Sequence, residues 1–400
     1  MKVLQVNATY GYTSTGLIVT DIGNALTKNG EEAFFAYQTC LEHPQNGYLV
    51  GNVLDWKAHA LLCRAFGKQA YFSVRATKAL IKHIRAISPD VVHLHNLHSN
   101  YVHLNLLLEY LAKENIATVI TMHDCWYFTG KCFHYAEIGC DGFCRGCGNC
   151  PKKKAPPQSL FFDTSRKVLK DKQKRLTAIP RLSIVGCSDW ICGEAKKSIL
   201  KDCHITRIYN GVDTSVFKPL ERNILKEQYG ENAFYIMGMA NKWLLPANKP
   251  LFESALKILN ENLKLVLVGC KDDQIQELNK LSPHLIPIGF IKGREELAQY
   301  YSSADVFVNA THVDTLPTVN MESICCGTPV ITYDSCGSPE LILEGCGHVV
   351  PKGDAEGLIQ KINSVSKIDA QNLNRARKSF DKNNCYLEYL HLYRRLMGET

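Results

Sequence analysis

Between Ser303 and Glu340 the order of residues leaves little room for anything but a β-α-β unit. The run Ser303-Ala-Asp-Val-Phe-Val-Asn-Ala310 has its apolar centre at Val306–Val308, as a strand buried on both faces of a parallel sheet does. An acid and a Thr then precede Pro317, and Gly327 falls just beyond the apolar-periodic residues; Pro near the start and Gly past the end frame a helix. Val330–Tyr333 follows as a second strand. Chains that alternate in this way build doubly wound α/β sheets, with ligands at the carboxyl ends of the strands.

The loop joining the first strand to this helix has the chemistry of an anion site. The N–H groups of Leu316, Thr318 and Val319, grouped around Pro317, would point out of a helix N-terminus, where a phosphate is favoured. Asp314 and Glu322 lie eight residues apart, roughly 12 Å at helical rise. That is about the span from sugar to ribose in a nucleotide sugar, so the two acids could hold its ends. The plainer reading makes Asp314 a cap and Glu322 a solvated helix residue.

The pattern Asp314-x7-Glu322, followed by Cys326-Gly-Thr-Pro-Val330 and the turn Gly337-Ser-Pro-Glu340, resembles the family-4 retaining glycosyltransferases. The likeness extends along nearly the whole chain and is strongest for the branch serving bacterial capsule, O-antigen and exopolysaccharide synthesis. It implies an α/β fold of the GT-B type, two Rossmann-like domains with parallel sheets facing across a cleft. It also implies transfer of a sugar from a nucleotide-diphosphate donor to a saccharide or lipid-linked saccharide acceptor, with retained configuration and no catalytic metal. No Asp-x-Asp carboxylate pair of the metal-binding kind occurs in a loop at either expected cleft face.

Other candidates follow along the chain. Lys2–Ala8 is a strand, and Thr9–Gly16 is a small-residue turn into a helix ending near Lys28; Ser14, Thr15 and Gly16 match the family's first-domain phosphate loop. One departure is Leu17, at a position where relatives carry Lys or Arg. Asp90–His98 ends a strand with His93, His95 and His98; alternation turns His93 inward, leaving His95, Asn96 and His98 as acceptor-side candidates. Thr118–Asp124 delivers His123 in the same way, and the resemblance places it near the donor sugar. In the second half, Lys249 is expected as the phosphate cation, with Lys242 of Asn241-Lys-Trp243 as the rival. Compared with the family pattern, Asn248 stands where the Arg usually lies, and two residues are inserted ahead of it.

Four hundred residues suit two domains: 1–209 on the acceptor side with a Cys-rich loop at 125–157, 210–383 for the nucleotide sugar, and a helix at 384–400 returning to the first. No apolar run reaches membrane-span length and the first residues form a strand, not a signal peptide, so a cytoplasmic protein is expected. The +7 net charge is concentrated. Lys57–Ile87 has seven Lys/Arg and no acid, and Lys152–Arg181 has ten against Asp163 and Asp171. A solvated helix face or an anionic membrane surface would account for that, the second making the protein peripheral on the inner face of the membrane.

Six of the 17 cysteines fall between Cys125 and Cys150. Cys132, Cys140, Cys147 and Cys150 have the spacing C-x7-C-x6-C-x2-C in Gly-rich sequence, which predicts a structural zinc site; uncoordinated reduced thiols are the alternative. Two other functions remain open. One is another sugar-nucleotide enzyme of the same architecture (epimerase, phosphorylase or hydrolase). The other is a zinc-containing nucleic-acid binder, disfavoured because no stacking aromatics punctuate a basic strand.

Overall fold

Strand and helix alternate throughout the computed structural model, which describes residues 1–398. The chain forms two compact units, Met1–Tyr209 together with the segment from Tyr386 onward, and Asn210–Cys385. The final helix, Lys382–Met397, begins in the second unit and ends in the first.

The first unit holds β1 (Lys2–Tyr10), β2 (Glu32–Cys40), β3 (Gly47–Leu49), β4 (Val91–Leu94), β5 (Ala117–Met122), β6 (Leu182–Gly186) and β7 (Ile205–Arg207). They form a parallel sheet in the order β3-β2-β1-β4-β5-β6-β7. Every residue of β4 and β5 is buried, because helices cover both faces. The second unit holds β8 (Phe234–Met239), β9 (Leu263–Val268), β10 (Leu285–Ile288), β11 (Val306–Asn309), β12 (Val330–Tyr333) and β13 (Gly347–Val350), again parallel, in the order β10-β9-β8-β11-β12-β13.

In each sheet the order reverses once: the chain winds outward from β1 through β2 and β3, then returns to lay β4 on the other side of β1. The second sheet does the same between β8 and β11. Such switch points open a crevice at the carboxyl ends of the two central strands. Asn7, His95 and Asn96 fall at the first, and Lys242 and Thr311–Asp314 at the second.

Local features have physical causes. The helix after the Cys-rich loop is Ser165–Leu176, where Asp163 accepts the Ser165 N–H at 3.0 Å and turns the preceding residues away from it. After β8, a 3-10 turn at Pro246–Asn248 leads into a helix at Lys249–Ile258. The basic helix begins at Val53, ahead of Lys57, since Asn52 and Asp55 form a reciprocal capping box. Not all of the basic stretches face water: Lys172 is fully buried, its Nζ donating to the carbonyls of Trp126 and Thr129.

Candidate functional site

In the second unit the helix after β11 is Thr318–Cys325. Its end is a Schellman motif: Gly327, at φ 86°, donates to the Ile324 carbonyl (2.9 Å) and Thr328 to that of Ser323 (3.1 Å). Its start has no side-chain cap, and Pro317 is the residue before it. The loop Asp314–Pro317 therefore lies ahead of the helix, and the 12 Å spacing expected for a continuous helix does not apply. The Leu316 N–H, expected to be open, donates to Asp314 Oδ1 at 3.3 Å, while Thr318 and Val319 are the first two helical residues.

Lys242 stands beside this loop. Its Nζ lies 3.6 Å from Asp314 Oδ2 and 3.1 Å from Thr311 Oγ1. Neighbouring Trp243 anchors it: the indole is fully buried and donates to the Val308 carbonyl at 3.0 Å. Only glycine suits position 238, since a Cβ there would strike that indole. Lys249 is placed differently. It is 74% exposed on its helix and pairs with Glu253 at 3.7 Å, one turn along. The departure at Asn248 is explained by packing: this side chain is buried, donates to the carbonyls of Ala310 (2.6 Å) and Lys242 (2.9 Å), and meets His312 at 2.7 Å. It ties the two strand ends of the switch point together.

Glu322 is half-buried, with the Tyr301 hydroxyl 3.3 Å from its Oε2. Burial pushes its carboxyl up to about 7, against the opposing pull of Tyr301, Arg294 and Thr318. A buried polar network not anticipated from sequence holds the helix in place: Asn309 donates to Asn320 (2.8 Å), Asn320 to Ser338 (3.0 Å), and Ser338 meets Thr332 at 2.7 Å. Gly337 donates to the Asp314 carbonyl at 3.1 Å, and a Cβ at 337 would collide with the carbonyl of Thr315.

In the first unit, Ser14 and Thr15 open the helix Ser14–Lys28, with Thr13 as its cap at φ 61°. Gly16 is needed for packing on the strand, since a Cβ would lie 2.8 Å from Thr9 Oγ1. Leu17 is half-buried. His93 is buried between Thr121 (2.7 Å) and Tyr393 (2.7 Å). His95 is also fully buried, where an acceptor-lining position was expected. It links Gln5 to His123: His95 Nε2 lies 3.2 Å from Gln5 Oε1 and His95 Nδ1 lies 3.0 Å from His123 Nε2. Gln5 donates its amide to the Val19 carbonyl at 3.0 Å, which turns its oxygen toward His95.

That chain sets the tautomers. Gln5 Oε1 needs a proton on His95 Nε2, so neutral His95 accepts through Nδ1 and His123 must donate from Nε2. Burial holds His123 at about 4 and His95 well below the usual imidazole range, so both are neutral near pH 7. His123 Nδ1 is then a bare acceptor, buried and without a hydrogen-bond partner. His98 pairs with Asp124 at 3.0 Å, and the Asn96 N–H donates to Asn7 Oδ1 at 3.1 Å.

Cys132, Cys140, Cys147 and Cys150 all line one cavity of about 30 Å³. The neighbouring Cys150 thiol and burial push the Cys132 thiol up, and Cys144 is exposed. Among the described residues, no three His, Cys, Asp or Glu side chains are grouped so as to hold a metal. Lys131 is buried next to the cavity, its ammonium donating to the carbonyls of Lys152 (2.8 Å) and Lys153 (3.0 Å).

Two parallel Rossmann-like sheets, each with polar groups gathered at its switch point, define a glycosyltransferase of the GT-B fold. The chain belongs to Glycosyltransferase Family 4, whose model matches residues 16–216, half of its length; the model for glycosyl transferases group 1 matches residues 247–384. It is 21% identical over 381 residues to the putative colanic acid biosynthesis glycosyl transferase WcaC of Escherichia coli, covering 90% of each chain. Among solved structures it resembles sucrose-phosphate synthase of Thermosynechococcus elongatus (TM-score 0.68, 16% identity, 99% of each chain). It also resembles Anabaena HepE in complex with UDP-glucose (TM-score 0.61, 15% identity, 98% of this chain and 99% of that one). No helix among the described residues is long and apolar enough to cross a membrane.

Proposed function

We propose that this glycosyltransferase moves a sugar from a nucleoside-diphosphate sugar to a saccharide acceptor, lipid-linked in the growing chain of a cell-surface polysaccharide, with retention at the anomeric carbon. The observation that carries this reading is the grouping at the β8/β11 switch point: Lys242 beside Asp314, directly ahead of a helix start that no side chain caps. As the glycosidic bond breaks, negative charge grows on the departing diphosphate. The Lys242 ammonium and the N–H groups of Thr318 and Val319 are preorganised positive ends for it. Lys242 takes the role the sequence suggested first for Lys249, whose ammonium serves an exposed ion pair.

Glu322 accepts from the ribose hydroxyls and Asp314 from a hydroxyl of the donor sugar. In the first unit, His123 accepts a saccharide hydroxyl through Nδ1, its tautomer held by His95 and Gln5. The relationship to a colanic acid enzyme supports a polysaccharide acceptor. A screen of uridine, guanosine and adenosine diphosphate sugars by thermal shift identifies the donor, because a ligand bound only by the folded state raises its midpoint. A donor that binds but yields free sugar, sugar phosphate or an epimerised donor, with no transfer to any saccharide, would support the other sugar-nucleotide chemistries instead.

We also infer a structural zinc in the cysteine loop. Four thiols on one ion-sized cavity support it, although they would have to draw together to ligate. A zinc held by four thiolates carries two negative charges, and the buried ammonium groups of Lys131 and Lys172 would offset them. With all four positions filled by protein, such an ion shapes the loop and takes no part in the chemistry.

A further inference from the structure

The two basic stretches, about a hundred residues apart in sequence, meet in the first unit around an apolar surface. The helix Val53–Phe66 buries only His59 and Cys63. Leu54, Leu61 and Leu62 lie on one face at helical spacing, and Leu54 is 77% and Leu61 70% exposed. Leu160, Phe161 and Phe162 are more than half exposed as well. These residues are held in place by specific contacts. The Leu160 N–H donates to the Arg64 carbonyl at 2.8 Å, and the Phe66 and Phe162 rings stack at 5.9 Å and 7°. Thr164 donates to the Gly67 carbonyl at 2.7 Å, and Gly67 takes φ 67° where a Cβ would strike Ser159. Backbone and side chains are thus spent on presenting large apolar groups to water.

The charges around this surface select its partner. Lys57 and Arg64 on the helix Val53–Phe66, and Lys154, Arg166 and Lys167 within six residues of the 160–162 segment, are exposed. The nearby acids are already engaged: Asp55 closes the capping box, and Asp163 accepts from the Cys150 N–H (2.7 Å) and from the Ser165 N–H and hydroxyl. Leucines and phenylalanines flanked by exposed cations match an interface whose outer layer is anionic and whose inner layer is hydrocarbon.

We propose that this surface seats the protein on an anionic lipid bilayer, with Leu54, Leu61, Leu62, Phe161 and Phe162 entering the headgroup boundary. The test is sedimentation of the full chain with vesicles of phosphatidylcholine alone and of equal parts phosphatidylcholine and phosphatidylglycerol. Binding to the anionic vesicles only is expected, weakening as salt rises. Leu61→Ser with Phe161→Ser should lower it by at least about tenfold, and each cation reversed among Lys57 and Arg64 by about fivefold or more. These side chains are exposed, so melting should not change; if it does, Phe161→Trp serves instead, with its emission shifting to the blue on anionic vesicles alone. Equal binding to both vesicle types, no binding to either, or an indole unaffected by anionic vesicles would overturn the proposal. So would a wild-type dimer that the double serine variant dissociates while vesicle binding persists, since the surface would then belong to a second copy.

Discussion

Replacing Glu322 by Gln should strengthen the fold and weaken nucleotide binding at the same time. Burial raises this carboxyl from 4.5 to about 7 in the folded protein. The folded state therefore holds a proton that the unfolded chain has released between those values. The stability tied to this group is fully present below pH 4.5, falls as pH rises toward 7, and stays lost above. The cost of ionisation at pH 8 is about 1–3 kcal/mol, the upper end set by about 1.4 kcal/mol per pH unit and the lower by the partial exposure of the side chain. Glu322→Gln removes that cost and should raise the melting midpoint of the ligand-free protein at pH 8 but not at pH 5.

Binding should respond in the opposite sense. Ribose hydroxyls donate best to the ionised carboxylate, which at pH 6 is about a tenth of the free protein. Affinity for a nucleotide sugar should then be about tenfold weaker at pH 6 than at pH 8. A nucleotide sugar is the right ligand because its diphosphate, esterified at both ends, does not itself titrate in this range. Protonation of His123 or His312, both lowered by burial, would favour an anionic ligand at low pH, the opposite sign, so they do not supply the effect. Calorimetric titration from pH 5.5 to 8.5 reads it directly, and Glu322→Gln should flatten the curve at a lower affinity. The reasoning fails if wild-type affinity is independent of pH, or if the variant keeps both the slope and the strength of binding.

Asp314→Ala should reduce turnover far more than nucleotide affinity, which steady-state kinetics beside calorimetry will separate. Lys242→Gln should lower kcat by about a hundredfold through loss of charge opposite the leaving diphosphate, while Lys249→Ala stays within about twofold. Gln5→Leu removes the acceptor that orders the His95–His123 chain, so kcat should fall with little change in KM, and nitrogen chemical shifts of the two rings should report altered tautomers. Metal analysis of protein purified without added zinc should find about one zinc per chain, released only on unfolding or strong chelation; metal-free protein with full activity and unchanged melting would remove that inference.

Most of the fold was legible because each signal was local. The β11–helix–β12 unit was framed by Pro317 and Gly327, and both do the backbone work their residue types suggest. The strands ending at Leu94 and Met122 were visible as apolar runs that deliver histidines. What was hidden depends on contacts between distant segments. Whether Lys242 or Lys249 reaches the Asp314 loop turns on Trp243 being pinned to Val308 and on Asn248 bridging two strand ends. Nothing within a few residues of either lysine records that. The Gln5–His95–His123 chain links three strands through partners as many as 90 positions apart, so its tautomer logic has no sequence signature. Lys172 looked like one more surface cation because helical periodicity alone does not show that Trp126 and Thr129 offer it their carbonyls. The pairing of Phe66 with Phe162 was hidden in the same way, and with it the apolar centre between the two basic stretches.

The central claim, retaining transfer from a nucleotide sugar, is tested most directly by the anomeric configuration of the first product formed. The wild-type chain is incubated with the donor selected by thermal shift and a panel of saccharide acceptors, and the configuration of the new linkage is read by proton NMR. The account predicts nucleotide release that depends on acceptor, a product with the donor's own anomeric configuration, and loss of both in Lys242→Gln. An inverted linkage, or donor consumed with no glycoside formed, would contradict it.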